Sequence, residues 1–427
     1  MNHTIIPGPD TVEIPLLHSA FVPCHNLWGH NSYFLRGTFD IDVLRLPATS
    51  TSGSPAVCSG GRLLGFLTNG EGRFTCDGRS VTAHVPENQR AIVIEGGAEK
   101  EQWTLYNSLT EAPSPEPVDP QPHWRLPEYV TWVEQKALAA EQGISPLDCL
   151  DEAMVRRFVE RIRRMELPFG KITIDAGWQQ HELPNQTDGY WEVDTTRFPN
   201  LETLCRWLEK QGFVPGLWFG LPRVGAGAPI LQEHPELFSD SATAGDEETP
   251  APRRLNYHVP SDELTAFYRN LFRPYAEMGF RKFKLDYYYG ERAHMTGLIR
   301  CAHDAIRALD PTIEIECHHP DIFFSRWVDV VRANDVKIEN GWDWEGLTLA
   351  HLRVCGLCAK DRIINLDHAG GNEPSVVEHD FLRHMQLFDL YSDLDTYPVV
   401  SLLPDRFSDQ TAEAVRSFVQ KHTVVTM

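Results

Sequence analysis

After residue 123 the chain keeps to one texture. Short apolar runs alternate with longer stretches in which apolar residues recur every three or four positions. Eight runs read as strands: YVTWVE (129–134), KITIDAG (171–177), FVPGLWFG (213–220), FKLDYY (283–288), IEIEC (313–317), VDVVRA (328–333), RIINLDH (362–368) and TYPVVS (396–401). Helical patterns lie between them. LDEAMVRRFVERIRRME sets Leu150, Met154, Phe158 and Ile162 on one face, with Asp151 and Glu152 near its positive end. PNLETLCRWLEKQG takes Asn200 as its cap and stops at Gly212, and SDELTAFYRNLFRPYAEMGF runs from a Ser261 cap to Gly279. Eight strands with helical crossovers predict an α/β chain built on a (β/α)8 TIM barrel. An open doubly wound sheet is the rival, but no G-x-G-x-x-G turn follows the first strand.

The first 110 residues read differently. NSYFLRGTFDIDVLRL, RLLGFLT, GRFTCDG, RAIVIEGG and EQWTLYNSL are short apolar runs broken by Gly, Ser and Asn. They predict a small β-sandwich-like domain. The run EAPSPEPVDPQP is too rich in proline for a helix and reads as a linker. The chain is parsed as a β-rich domain (1–110), a Pro-rich linker (111–123) and a barrel (124–427).

In such a barrel the chemistry sits at the C-terminal ends of the strands. Asp175 and Trp178 stand there after strand two, Trp218 after strand three, and Lys284 and Asp286 after strand four. Cys317, His318 and His319 follow strand five, Arg332 and Asp335 strand six, and Asp367 and His368 strand seven. Strand residues two apart share a face, so Lys284 and Asp286 both point into the barrel. A carboxylate costs several kcal/mol to desolvate unless it is paired or hydrated. Carboxylates at four strand ends therefore mark a site. The structural alternatives are a Lys284–Asp286 ion pair and helix capping by Asp175 or Asp335. Asp321 reads as a loop residue, and Asp329 lies away from the end of strand six. His318 and His319 are adjacent and point to opposite faces, with no HxH or HxxE partner, so neither a metal nor a cofactor is expected.

Carboxylates beside tryptophans suit sugar chemistry. Glycosidic cleavage uses one carboxylate against the anomeric carbon and a second acid that protonates the leaving oxygen. Charge agrees with a neutral small-molecule or oligosaccharide substrate. A net charge of −21 argues against nucleic acid and against an anionic membrane surface. No apolar run approaches a membrane span. The N-terminal MNHTIIPGPDTVEIPLL lacks a basic region and an apolar core of signal-peptide type. Nine scattered cysteines, Cys355 and Cys358 among them, read as free thiols of a reducing, cytoplasmic compartment.

The order of motifs resembles the clan of retaining α-glycosidases, family 36 above all, with families 27 and 31 related. TIDAGWQ is similar to the LDDGWF segment of family 36, and GYWEVDTTRFPN to the stretch that follows it. VPGLWFGLPRV with LQEHPELF resembles GLWFEPEMV with HPDW. GFRKFKLDYYYG resembles the K-x-D strand, CHHP…VDVVRANDV…W the strand-five cysteine and the D-x-x-R-x-x-x-DV segment, and NLDH the NDPD segment. PEYVTWVEQ is nearer to family 31. The resemblance covers about residues 124 to 420. It implies Asp286 as nucleophile and Asp335 as acid/base, in a double displacement on a terminal α-linked sugar, most nearly galactose. Asp175, Lys284 and Arg332 would bind sugar hydroxyls, and Trp178, Trp218, Cys317, His318 and Asp367 would line the site. An α-glucosidase-type activity is the alternative within the class, and a carbohydrate-binding protein on a decayed barrel the alternative outside it. Three positions depart from the family pattern: Ala176 replaces an aspartate, Gly220 and Leu221 replace an acidic residue's neighbourhood, and His318-His319-Pro320 replaces a Gly-rich loop. The acidic insertion SDSATAGDEETPAPRR (239–254) follows strand three.

Overall fold

The computed structural model describes residues 1–15, 21–23, 33–35, 55–70, 72–76, 79–111, 113–181, 188–238, 255–288, 292–318, 321–332, 344–359, 361–368, 374–390 and 394–423. Asp335, His319 and the 239–254 insertion lie outside them. No helix among the described residues is long and apolar enough to cross a membrane.

Among the described residues the N-terminal region holds nine strands: β1 (Asn2–Pro7), β2 (Asp10–Pro15), β3 (Phe21–Pro23), β4 (Tyr33–Leu35), β5 (Ala56–Ser59), β6 (Arg62–Phe66), β7 (Arg73–Cys76), β8 (Ser80–Val85) and β9 (Arg90–Glu95). They form a six-stranded sheet, β1-β9-β6-β5-β3-β4, and a three-stranded sheet, β2-β8-β7, both antiparallel. Strand alternation gives each residue of β5 a side. Val57 joins Ile14, Leu64, Phe66, Val81 and Ala83 between the sheets. Ala56 and Cys58 turn the other way, onto Trp103, Tyr106 and the barrel residues Ile322, Phe323, Leu357 and Cys358.

EQWTLYNSL is not a strand but most of α1 (Glu99–Leu109). Gln102, Trp103 and Tyr106 are its buried residues, a spacing that one helix face meets and a strand does not. Gln102 fixes the helix to the sheet by donating to the carbonyls of Gly61 and Gly96. From Pro113 to Gln121 the chain has no strand or helix.

The eight anticipated runs form a closed parallel barrel: β10 (Glu128–Val130), β11 (Lys171–Ile174), β12 (Val214–Gly220), β15 (Lys282–Asp286), β16 (Glu314–His318), β17 (Val330–Arg332), β18 (Ile363–His368) and β19 (Thr396–Val400). A hairpin of β13 (Arg223–Gly225) and β14 (Leu255–Tyr257) flanks the insertion. Around the barrel lie α2 (Trp132–Gln142), α3 (Glu152–Arg164), α4 (Leu201–Lys210), α5 (Ile230–Glu233), α6 (Asp262–Met278), α7 (Arg292–Arg307), α8 (Trp344–Cys358), α9 (Glu378–Phe388) and α10 (Asp409–His422). The expected caps are present. Asn200 accepts from Thr203 N at 2.8 Å, Ser261 from Leu264 N at 3.0 Å and Asp151 from Met154 N at 2.6 Å. Gly279 closes α6 in a left-handed turn at φ 112°.

Alternation sorts the barrel strands. Ile172, Ile174, Leu217, Phe219, Phe283, Leu285, Ile315 and Cys317 point outward, into the layer beneath the helices. Lys171, Thr173, Lys282, Lys284, Glu314 and Glu316 are buried on the other face, inside the barrel. Branched apolar residues usually fill such interiors. Here that holds only on one side, where Val130, Val330, Ile363 and Val399 pack with Tyr397 and Trp124. The rest of the interior is ionic.

Candidate active site

The ionic interior is built in levels. Lys171 Nζ lies 3.0 Å from Glu314 and sits 3.6 Å over the Tyr397 ring. Lys282 contacts Glu128 and Glu316 and lies 3.1 Å from Glu314. Asn365 Nδ2 and the Tyr397 hydroxyl donate to Glu316 at 2.9 and 3.1 Å. Burial pushes the Lys171 amine down to about 8. Burial also disfavours charge on Lys282, but the surrounding Glu128, Glu314 and Glu316 carboxylates outweigh it and hold the ammonium. Glu128 is pushed up by burial and by the Glu316 charge, so it is the carboxyl of this group readiest to take a proton.

One pleat higher the chemistry changes. Lys284 does not pair with Asp286 but crosses the barrel to Asp175 Oδ2 at 2.7 Å. Asp175 is held on both sides: its Oδ1 accepts from Ala176 N at 2.8 Å, and its own N–H donates to Thr131 Oγ1 at 3.0 Å. Asp286 ends β15, with its side chain 16% exposed at the mouth. Trp218 Nε1 donates to its Oδ2 at 3.2 Å. Its Oδ1 accepts from Tyr287 N at 2.8 Å and lies 3.0 Å from His318 Nε2 and 3.6 Å from Arg332 Nη2. Burial alone would raise the Asp286 carboxyl. The His318 hydrogen bond and the Arg332, His318 and Lys284 charges outweigh it and hold the group well below the usual carboxylate range. An ionised carboxylate with an open face is a nucleophile in form.

An apolar cup adjoins it. Leu147, Ala176 and Trp218 pack together, with Trp132 and Tyr287 partly exposed beside them. Tyr287 stands at φ 71°, a left-handed conformation uncommon for a bulky residue. Its ring meets Trp218 edge to face at 5.3 Å and carries the Arg223 guanidinium 3.7 Å from its centre. Arg223 Nε in turn donates to Asp188 at 2.9 Å. Gly220 is required here, because a Cβ on it would lie 2.5 Å from the Tyr287 ring and 2.8 Å from Trp218.

The sequence candidates therefore divide. Asp175, Trp218, Lys284, Asp286, His318 and Arg332 come together at the mouth. Trp178 and Cys317 do not join them. Gly177, at φ 116°, turns Trp178 outward against Phe219 and Tyr275, and its indole donates to Trp218 O at 2.8 Å. Cys317 falls on the outward face of β16 among Phe283, Leu285 and Ile315. Asp367 lies on β18. Asp321 caps the turn after β16, accepting from Phe323 N and Phe324 N. Asp329 pairs with Arg307 and accepts from Ile315 N, below β17. Trp132, Leu147 and the pairing of Arg223 with Asp188 were not anticipated. Trp132 had been placed inside a strand running to residue 134, but β10 stops at Val130 and leaves the indole at a strand end.

No protein-family model matches the chain. Solved structures do. An α-galactosidase from Thermus thermophilus, TtGalA, in complex with p-nitrophenyl α-D-galactopyranoside, is 15% identical with a TM-score of 0.70, over 97% of this chain and 89% of that one. A family 31 α-xylosidase from a soil metagenome, complexed with xylose, is 11% identical with a TM-score of 0.64, over 96% of this chain and 64% of that one. The family 36 α-galactosidase AgaB from Geobacillus stearothermophilus is 12% identical with a TM-score of 0.58, over 96% and 61%. This chain has the fold that these α-galactosidases and the α-xylosidase share.

Proposed function

We propose that the chain is an α-glycoside hydrolase acting with retention of anomeric configuration, Asp286 being the nucleophile and Asp335 the acid/base. The observation that carries this reading is the state of Asp286: ionised, anchored through Oδ1, and partly open at the mouth beside an apolar cup. The fold shared with sugar-cleaving enzymes supports it.

In the first step Asp286 Oδ2 attacks the anomeric carbon, forming a C–O bond as the glycosidic bond breaks. Asp335 gives its proton to the departing oxygen. In the second step Asp335 takes a proton from water, water attacks the anomeric carbon from the vacated side, and Asp286 leaves as a carboxylate. Asp175, Lys284 and Arg332 would hold ring hydroxyls, while Trp132, Trp218 and Tyr287 offer apolar surface to the sugar ring. The sugar we propose is an α-linked galactose, in a small glycoside or an oligosaccharide.

The test is Asp286→Asn on an aryl α-galactoside within a panel of aryl α-glycosides. Turnover should fall by roughly a thousandfold or more. NMR of the wild-type product should show the α-anomer first. Normal activity in the variant, or a β-anomer as first product, would sink the proposal.

A further inference from the structure

We propose that His318 is a positioning residue for Asp286, fixing the carboxylate so that Oδ2 faces the sugar. This rests on the reading of Asp286 as the nucleophile and goes beyond it, because His318 is assigned to the carboxylate and not to a sugar hydroxyl.

His318 ends β16, and its register places it opposite Arg332 on β17. Both side chains thus reach across to the same oxygen of Asp286, at 3.0 and 3.6 Å. A carboxylate oxygen only accepts, so Nε2 is the protonated ring nitrogen in this contact. Tyr287 N donates to Oδ1 at 2.8 Å, so a backbone donor, an imidazole and a guanidinium converge on that oxygen, while Oδ2 accepts from the Trp218 indole. A carboxylate gripped this unevenly has one oxygen fixed and one turned toward the mouth. Contact decides between the two roles of the imidazole. His318 Nε2 lies 3.0 Å from Asp286 Oδ1, so the ring edge that could meet a sugar hydroxyl is already turned to the carboxylate.

Among the described residues, these charged and titratable groups surround the carboxylate. Lys284 lies below it on β15, paired with Asp175 from β11. Arg332 stands on β17, with Glu316 4.0 Å beneath it on β16. Tyr287 separates it from the Arg223–Asp188 pair. Of these, the His318 hydrogen bond is the foremost influence lowering the Asp286 carboxyl against its burial. Asp286 acts as the anion, so a donor that favours the anion extends activity to lower pH. Removing the donor should bring the acid limb up.

The experiment compares kcat/KM against pH for the wild type, His318→Ala and His318→Gln on an aryl α-galactoside with an activated leaving group. A hydrogen bond to a charged group corresponds to roughly a ten- to hundredfold effect. His318→Ala should lose that much kcat/KM, mainly in kcat, with its acid limb raised by about one pH unit. His318→Gln keeps an N–H donor and should restore the limb. A sugar-binding histidine would instead raise KM and leave the limb in place. An unmoved limb in His318→Ala, or equal shifts in the Ala and Gln variants, overturns the inference. If the Ala variant does not fold, His318→Asn, whose donor is one bond too short, takes its place in the same comparison. Activity in Asp286→Asn would overturn the nucleophile reading itself. An inactive Asp286→Asn beside an unmoved limb overturns only the role of His318.

Discussion

Lys282→Met tests the ionic interior of the barrel. Lys282 is fully buried, and its ammonium contacts Glu128, Glu316 and Glu314 and lies 3.3 Å from the Tyr397 hydroxyl. With Lys171 it sets two positive charges against three carboxyls, of which Glu128 is the one pushed toward neutrality. The substitution leaves one ammonium against three carboxyls in a fully buried site. Removing one partner of a buried pair costs about 3–5 kcal/mol. For a chain of 427 residues that lowers the melting midpoint by about 3–6 °C. The pH dependence is diagnostic. In the variant the stranded carboxyls have folded-state pKa values above their unfolded value of about 4.3. Such groups are neutral, and harmless, below that value, and they lose stability as pH rises through the raised pKa. In the wild type Glu316 is buried, yet the Lys282, Lys284 and Arg332 charges hold it low, so the stability it contributes disappears as pH falls. The deficit of the variant should therefore be large at pH 8 and narrow toward pH 5. Urea unfolding at the two pH values measures it. A deficit below about 1 kcal/mol at pH 8, or one that does not narrow, refutes the argument. Adding Glu316→Gln to Lys282→Met should recover part of the loss, since the two groups touch.

Asp335→Ala should depress hydrolysis of glycosides with poor leaving groups far more than that of activated aryl glycosides, because only the former need a proton from the acid; equal losses on both count against the acid role. Arg292→Met removes a guanidinium that is 1% exposed, donates to Gly72 O at 3.2 Å in the N-terminal region and lies near the buried Asp321. It should lower unfolding stability by about 1.5–3 kcal/mol, more at pH 8 than at pH 5 because Asp321 must be buried as an anion there; an unchanged unfolding midpoint would contradict this.

Much of the barrel was legible because period-two alternation and helix caps are local signals. FKLD, KITID and IEIECH announce which residues share a face, and Ser261, Asn200 and Asp151 announce where helices begin. Strand ends were less legible. The chain turns at Thr131 and at Gly177, so Trp132 belongs to the mouth and Trp178 to the outer layer, the reverse of their apparent standing in the sequence. Cys317 was misplaced by one residue of register, which on a strand is a change of face. The helical spacing in α1 was hidden in a run short enough to resemble a strand. Partnership was least legible of all. The sequence offered Asp286 as the structural alternative partner of Lys284 because the two are close along the chain, yet its partner, Asp175, stands on another strand.

That choice of partner explains how an ionised Asp286 can sit on top of so much buried charge. At the mouth, among the described side chains, Lys284 is matched by Asp175 and Arg332 faces Asp286. The level below, from Lys171 to Glu316, is neutral when Glu128 carries a proton. The two levels are nonetheless coupled, because the Lys284 and Arg332 charges of the mouth help Lys282 hold the buried Glu316 ionised. The link between them is Glu316, 4.0 Å from Arg332 and in contact with Lys282. Had Lys284 paired with Asp286 instead, the mouth would have held a closed ion pair, and attack would have required that pair to open. By giving the lysine to Asp175, the fold leaves Asp286 without a direct lysine partner, and the His318 contact and the Arg332, His318 and Lys284 charges keep it ionised against its burial.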